Sequence, residues 1–149
     1  MSLRNRQKGI ALVELGITIS LLVAIVFGIT EFGRAIYQYN TIAKAARDAV
    51  RYLSTKAPGD LTAIEEARCF AVFGNPGCSG SPLAPELRGA MFSVCDATRC
   101  PGTHQSQGTA PVINLVTVTI GGYTFDSVFQ FVLPDITFGP ISATMRQVL

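Results

Sequence analysis

The chain predicts an α+β fold: a long N-terminal helix with a transmembrane half and a projecting amphipathic half, a second short helix, a cysteine-stapled loop and a small antiparallel C-terminal sheet. Three observations carry this reading. An apolar run of membrane length starts at Ile10 and passes, without a proline, into amphipathic sequence as far as Leu53. Four cysteines punctuate a stretch rich in Gly, Pro, Ser and Thr. After Pro111 the pattern becomes β-branched and alternating.

The N-terminal junction is the most specific local feature. Arg4, Arg6 and Lys8 stop at Gly9, and the apolar run begins at Ile10. From Ile10 to Thr30 there are 21 residues with Glu14 as the only charge. At about 1.5 Å per residue this spans roughly 30 Å, one hydrocarbon core. A carboxylate so near the start of such a helix is costly and calls for a partner or a role. The basic residues before the run, with no comparable cluster just after it, orient the N-terminus to the cytoplasm. The expected organisation is a basic leader over 1–9, a transmembrane helix over 10–30, a projecting amphipathic helix over 31–53 and an exported head over 54–149. A cleaved secretory signal fits badly, because the run is too long and contains Glu14.

Within the helix, Leu15, Thr18, Leu22, Ile25, Ile29, Phe32, Ile36, Tyr39, Ala43, Ala46, Val50 and Leu53 recur at alternating steps of three and four. That is a seam at coiled-coil spacing. Beyond Glu31 the other faces turn polar, through Arg34, Gln38, Asn40, Lys44, Arg47, Asp48 and Arg51. A helix from Ile10 to Leu53 would be roughly 65 Å long. Its outer half has faces for its own head and for a partner.

Ser54 to Gly59 breaks the helix, and Asp60 is placed to cap the next one. Leu61 to Phe73 reads as that helix, with Leu61, Ile64, Ala67, Arg68 and Ala71 on one side and Gly74 as its stop. Residues 74–111 read as loop. Val112 to Ile120 reads as a strand, Gly121-Gly122 as a tight hairpin turn, and Tyr123-Thr124-Phe125 as the start of the return. Val128 to Leu133 fits a strand or a short helix, and Ile141 to Val148 a last strand.

Cys69, Cys78, Cys95 and Cys100 all lie on the exported side, where an even number favours disulfides. Three pairings are possible. Sequential pairing is the economical one, since each bridge closes a short loop. The rival is a zinc site with His104 as an additional ligand, which the absence of a CxxC pair disfavours.

Composition excludes several function classes. The net charge is +2. Without residues 1–9, 9 Lys+Arg would face 10 Asp+Glu, so the basic excess belongs to the leader. Residues 101–149 hold one basic side chain, Arg146, which argues against nucleic-acid binding. Catalytic groupings are hard to assemble. The single histidine, His104, sits in a polar loop, Gly77-Cys78-Ser79-Gly80 lacks the glycine of a nucleophile elbow, and Glu65-Glu66 diverge on their helix. The expectation is a non-enzyme without cofactor or metal.

Several segments carry a resemblance. Arg4 to Gly9, Ile10-Ala11-Leu12-Val13-Glu14, Glu31-Phe32-Gly33-Arg34-Ala35-Ile36-Tyr37 and Ala45 to Tyr52 resemble the N-terminus of TadE-like pseudopilins, minor pilin-like subunits of the tight-adherence (Flp, type IVc) pilus system. Ala67-Arg68-Cys69 to Asn75 and Ser142 to Arg146 extend the resemblance, while the cysteine-rich middle is mostly unmatched. Leu15 departs from the aromatic residue that follows the glutamate in many Flp-type subunits.

The resemblance implies cleavage between Gly9 and Ile10 by a prepilin peptidase that reads the leader glycine beside Lys8. It implies pairing of Glu14 with the new Ile10 amine or with that of a neighbouring subunit, and assembly with other pilin or pseudopilin subunits along the seam. The expected place is the bacterial inner membrane, single pass with the head in the periplasm, or a surface pilus, and the expected role is pilus biogenesis, adherence and surface attachment. The alternatives are a major pilin, and an uncleaved single-pass membrane protein whose exported domain binds a ligand or partner.

Overall fold

The computed structural model describes residues 3–105, 113–128, 130 and 133–148, with side chains from Gly9 onward. Helix α1 runs unbroken over Leu3–Leu53, about 75 Å at the usual rise. Every residue from Gly9 to Phe27 is exposed, and this helix is long and apolar enough to cross a membrane. Thr18, Ser20 and Thr30 donate their hydroxyls to the carbonyls of Glu14, Gly16 and Val26 at 2.8–2.9 Å. The helix thereby satisfies its own hydroxyls, as a segment surrounded by hydrocarbon must.

The head gathers on the outer half of α1. Helix α2, Leu61–Phe73, starts where Asp60 accepts hydrogen bonds from the Thr62 and Ala63 amides and ends at Gly74 in the left-handed region, φ 76°. Both caps are as expected. The buried face is Ala63, Ile64, Ala67, Cys69, Ala71 and Val72. Leu61, expected on that side, is exposed.

Strands β1 (Phe92–Cys95), β2 (Leu115–Ile120) and β5 (Ile141–Arg146) form an antiparallel sheet in the order β1-β2-β5. A second pair joins β3 (Thr124–Phe125) and β4 (Ile136–Thr137). The short helix α3 covers Pro101–His104. Val116, Val118 and Ile120 alternate inward on β2, and Phe92, Val94 and Ile141 join them in one core with Ile42, Ala46, Ala49, Val50 and Leu53 of α1. The sheet and α2 thus pack on one stripe of the long helix.

Further expectations need correction. Residues 74–111 are not all loop, since they contain β1, a 3-10 turn at Gly89–Met91 and α3. Phe92 and Val94 alternate inward over four residues only, too short a run to read alone. Gly121-Gly122 does not close a hairpin. The Gly121 amide bonds the Met91 carbonyl at 3.0 Å, β5 takes the edge of β2, and Tyr123 and Phe125, 2% and 0% exposed, carry the chain into the core. The last strand ends at Arg146 rather than Val148: the Gln147 amide still bonds the Asn114 carbonyl, one step beyond the Leu115↔Arg146 pair, but the Val148 amide turns away to the Ser54 carbonyl. Gln38 is buried, not on a polar outer face. Strand β2 begins at Leu115; Val112 lies outside the described residues. So do Phe129, Phe131 and Val132, on which the reading of 128–133 largely falls.

Candidate functional site

At the N-terminal junction, Gly9, Ile10 and Glu14 lie on one continuous exposed helix. A side chain added at Gly9 would meet nothing within 4 Å. The fold therefore makes no demand for glycine there, and in a helix interior glycine costs about 1 kcal/mol relative to alanine. Glu14 stands one turn beyond Ile10, on the same side. The side chain of Lys8 lies outside the described residues.

The seam divides into two parts. Leu15, Thr18, Leu22, Ile25, Ile29, Phe32, Ile36 and Tyr39 are exposed, Ala43 is half-buried, and Ala46, Val50 and Leu53 are in the head's core. Helix geometry accounts for this. A strict seven-residue repeat drifts by about 20° per heptad on a straight helix, so from Leu15 to Leu53 the line rotates by roughly 100°. The first part stays exposed, with Tyr39 at its end meeting the Phe138 ring edge-on at 5.5 Å, while the last part turns into the head.

The stripe that meets the head at the end of the apolar run is a different one, Glu31, Ala35, Gln38 and Ile42, all buried. Glu31 is 1% exposed. It receives hydrogen bonds from Arg34 Nη1 at 2.5 Å, Ser127 Oγ at 3.0 Å and the Val128 amide at 3.1 Å. Burial pushes its carboxyl up, but these three bonds and the Arg34 charge outweigh burial and hold it below the usual range. Two turns further, the Tyr123 hydroxyl donates to Gln38 Oε1 at 2.8 Å. Burial raises the Tyr123 phenol, which keeps it a donor. Arg34 also lies over the Phe125 ring, 5.4 Å from its centroid. These contacts clasp the chain between Tyr123 and Val128 to α1 at the boundary of the apolar run.

Sequence reasoning missed the clasp, because it assigned Arg34 and Gln38 to outer polar faces. The signal was present in the spacing. Residues 31, 35, 38, 42, 46 and 49 follow helical steps, and two polar members interrupt an otherwise apolar stripe.

The cysteines pair sequentially, Cys69 with Cys78 and Cys95 with Cys100, at Cα separations of 4.7 and 5.5 Å. Cys95, Cys100 and His104 hold their potential ligand atoms within 4.8 Å of one another. Both sulfurs are committed to a disulfide, however, and the thiolate is the ligand form. His104 Nε2 lies 2.7 Å from Thr117 Oγ1 and Nδ1 2.8 Å from Thr103 Oγ1. Asp96, which the sequence did not single out, is buried and accepts from the Gly59, Thr98 and Arg99 amides at 2.8–3.0 Å. It organises the second disulfide loop against the α1–α2 connection. Glu65 and Glu66 do diverge: one pairs with Arg68 at 2.8 Å, the other accepts from the Tyr52 hydroxyl. An open groove of about 880 Å³ runs beside the outer half of α1, between Tyr37, Lys44 and Arg51 on one wall and Phe70 and Leu83 on the other.

The described residues thus form one long helix, apolar enough in its first part to cross a membrane, that carries a small disulfide-stapled α+β head on its outer half. More particularly, residues 9–51 match the family model described as TadE-like protein. The match covers the exposed helix from Gly9, the seam as far as Val50 and the helix side of the clasp, and this segment is consistent with a TadE-like, pilin-like protein of the Tad system. Comparison with curated proteins and with solved structures gives no match.

Proposed function

We propose that the protein is a pseudopilin, a minor pilin-like subunit of a Tad (Flp) pilus assembly system, cut after Gly9 by a prepilin peptidase and active in pilus biogenesis, adherence and surface attachment. The observation that carries the reading is the continuous α1 helix, TadE-like over residues 9–51, whose first part is wholly exposed while its last part is built into the head. A helix of this kind is an anchor before assembly and a packing element after it.

The proposed steps follow from the residues. The basic leader holds the N-terminus in the cytoplasm and the head in the periplasm. Cleavage between Gly9 and Ile10 removes Lys8 and the other leader charges and creates an α-amino cation at the start of the helix. Glu14, one turn on, pairs with that amine or with the amine of a neighbouring subunit, which offsets the cost of a carboxylate in hydrocarbon. The strip from Leu15 to Tyr39 then packs against the helices of other pilin or pseudopilin subunits in the inner membrane or in a pilus.

N-terminal sequencing of membrane-extracted protein tests the cut. A start at Ile10 supports the reading, and a start at Met1 in cells with an active prepilin peptidase overturns it. Because the fold leaves open space at Gly9, a Gly9→Leu variant should fold normally and remain uncut. Glu14→Ala should be cut normally and assemble poorly; full piliation in that variant would remove the role given to Glu14.

A further inference from the structure

At Glu31, the first residue after the apolar run, the head is tied to α1, and beside that tie it turns an apolar residue outward. Helical side chains lean toward the helix N-terminus, so the Glu31 carboxylate reaches back from the first position after the run toward the run itself. Ser127 Oγ and the Val128 amide are bound to that carboxylate at 3.0 and 3.1 Å. Val128 is thereby held at the boundary of the run, yet its side chain is 66% exposed. One turn earlier, Phe27 is less exposed than Phe32, 37% against 58%, and Gly28 is half-buried, whereas every residue from Gly9 to Val26 is exposed. The folded chain begins to cover α1 inside the last turn of the apolar run.

The polar groups at the base of this loop are satisfied within the protein. Asp135 accepts from the Ser127 amide at 3.0 Å and from Gln130 Nε2 at 3.5 Å, and Glu31 takes the Ser127 hydroxyl and the Val128 amide. A segment that meets a low-dielectric boundary requires such pairing, because each unpaired group would be costly there. In sequence, Val128 to Leu133 carries no charge and has Gln130 as its one polar residue. Leu133 returns to pack on the core.

We infer that the head rests on the bilayer at Val128, whose side chain is set into the outer headgroup layer of the phospholipid membrane that α1 crosses. The contact would be apolar rather than charge-specific, and it would give the head a second hold on the lipid surface, fixing the rotation of α1 about its axis. It rests on the reading of α1 as a membrane span.

The chain has no tryptophan, so single substitutions report position directly. The full chain would be reconstituted in phosphatidylcholine–phosphatidylglycerol vesicles containing acyl-brominated lipid, as Val128→Trp, as Ile19→Trp within the apolar run, and as Leu61→Trp at an exposed site near the far end of the head. Val128→Trp should emit to the blue of Leu61→Trp and lose the greater part of its emission to brominated lipid while resisting aqueous iodide. Quenching of Ile19→Trp by lipid with none of Val128→Trp would overturn the loop contact and leave the anchor standing. Absence of lipid quenching at both would overturn both. A blue shift of Val128→Trp that appears only as the protein-to-lipid ratio rises would assign the loop to a second copy of the chain and overturn the lipid contact.

Discussion

Glu31 shows how one charge at a boundary can be made structural. It sits where the apolar run ends, and an unpaired carboxylate buried there would oppose folding. Arg34, Ser127 and Val128 together reverse that, and the carboxyl titrates below its ordinary 4.5. The unfolded chain therefore binds the proton more readily than the native one. The stability so contributed is fully present above the ordinary value and is lost as pH falls through the folded value. Glu31→Gln should lower the melting temperature at neutral pH, and its gap from wild type should narrow as pH falls below 4.5, read by thermal melts in detergent across pH. A gap independent of pH would show that the charge plays no part. Tyr123→Phe leaves the buried Gln38 oxygen without its donor and should cost about 1–3 kcal/mol in denaturant melts.

The elements differ in what stabilises them. Helix α2 is marked at both ends by local chemistry, Asp60 on the Thr62 and Ala63 amides and Gly74 at positive φ, and for that reason both of its ends were readable from the chain. Strands β1 and β5 have no such local marks. β1 is four residues long, and it becomes a strand because Phe92↔Ile120 and Cys95↔Thr117 pair it to β2 across the sheet. The long connection that holds it is closed at either side by the two disulfides. Reduction of Cys69–Cys78 should destabilise the head by about 2–3 kcal/mol, since it frees a loop of sequence separation 9. The check is a denaturant melt of the Cys69→Ser/Cys78→Ser double variant, in which α1 helicity should persist.

At the scale of the molecule, α1 serves two environments with one regular helix. The rotation of its seven-residue repeat separates a free strip, Leu22, Ile25, Ile29, Phe32 and Ile36, from the buried Ala46, Val50 and Leu53. A change on the free strip should therefore leave the head untouched. Phe32→Asp should keep the wild-type melting temperature while weakening association with partner subunits by about 2 kcal/mol or more, the loss typical of a central apolar contact. Crosslinking of membrane extracts reads the association. A fall in melting temperature with association intact would place Phe32 in the head instead.

Much of this molecule is written along the chain: the apolar run and its single carboxylate, the unbroken helix to Leu53, the caps of α2, and the α+β character of the head. These depend on neighbours within a few residues or on a period of three to four, and such patterns survive in one dimension. The clasp at Glu31, the burial of Gln38, the departure of Tyr123 and Phe125 from an expected hairpin, and the place of β5 beside β2 were decided only in three dimensions. The pairings involved join residues 21 to 97 positions apart. Whether a polar side chain on α1 faces water or a partner is set by what the distant chain delivers to it. Gly9 and Glu14 are legible because their spacing is local; Glu31 acquires its meaning only when Ser127 and Val128 arrive beside it.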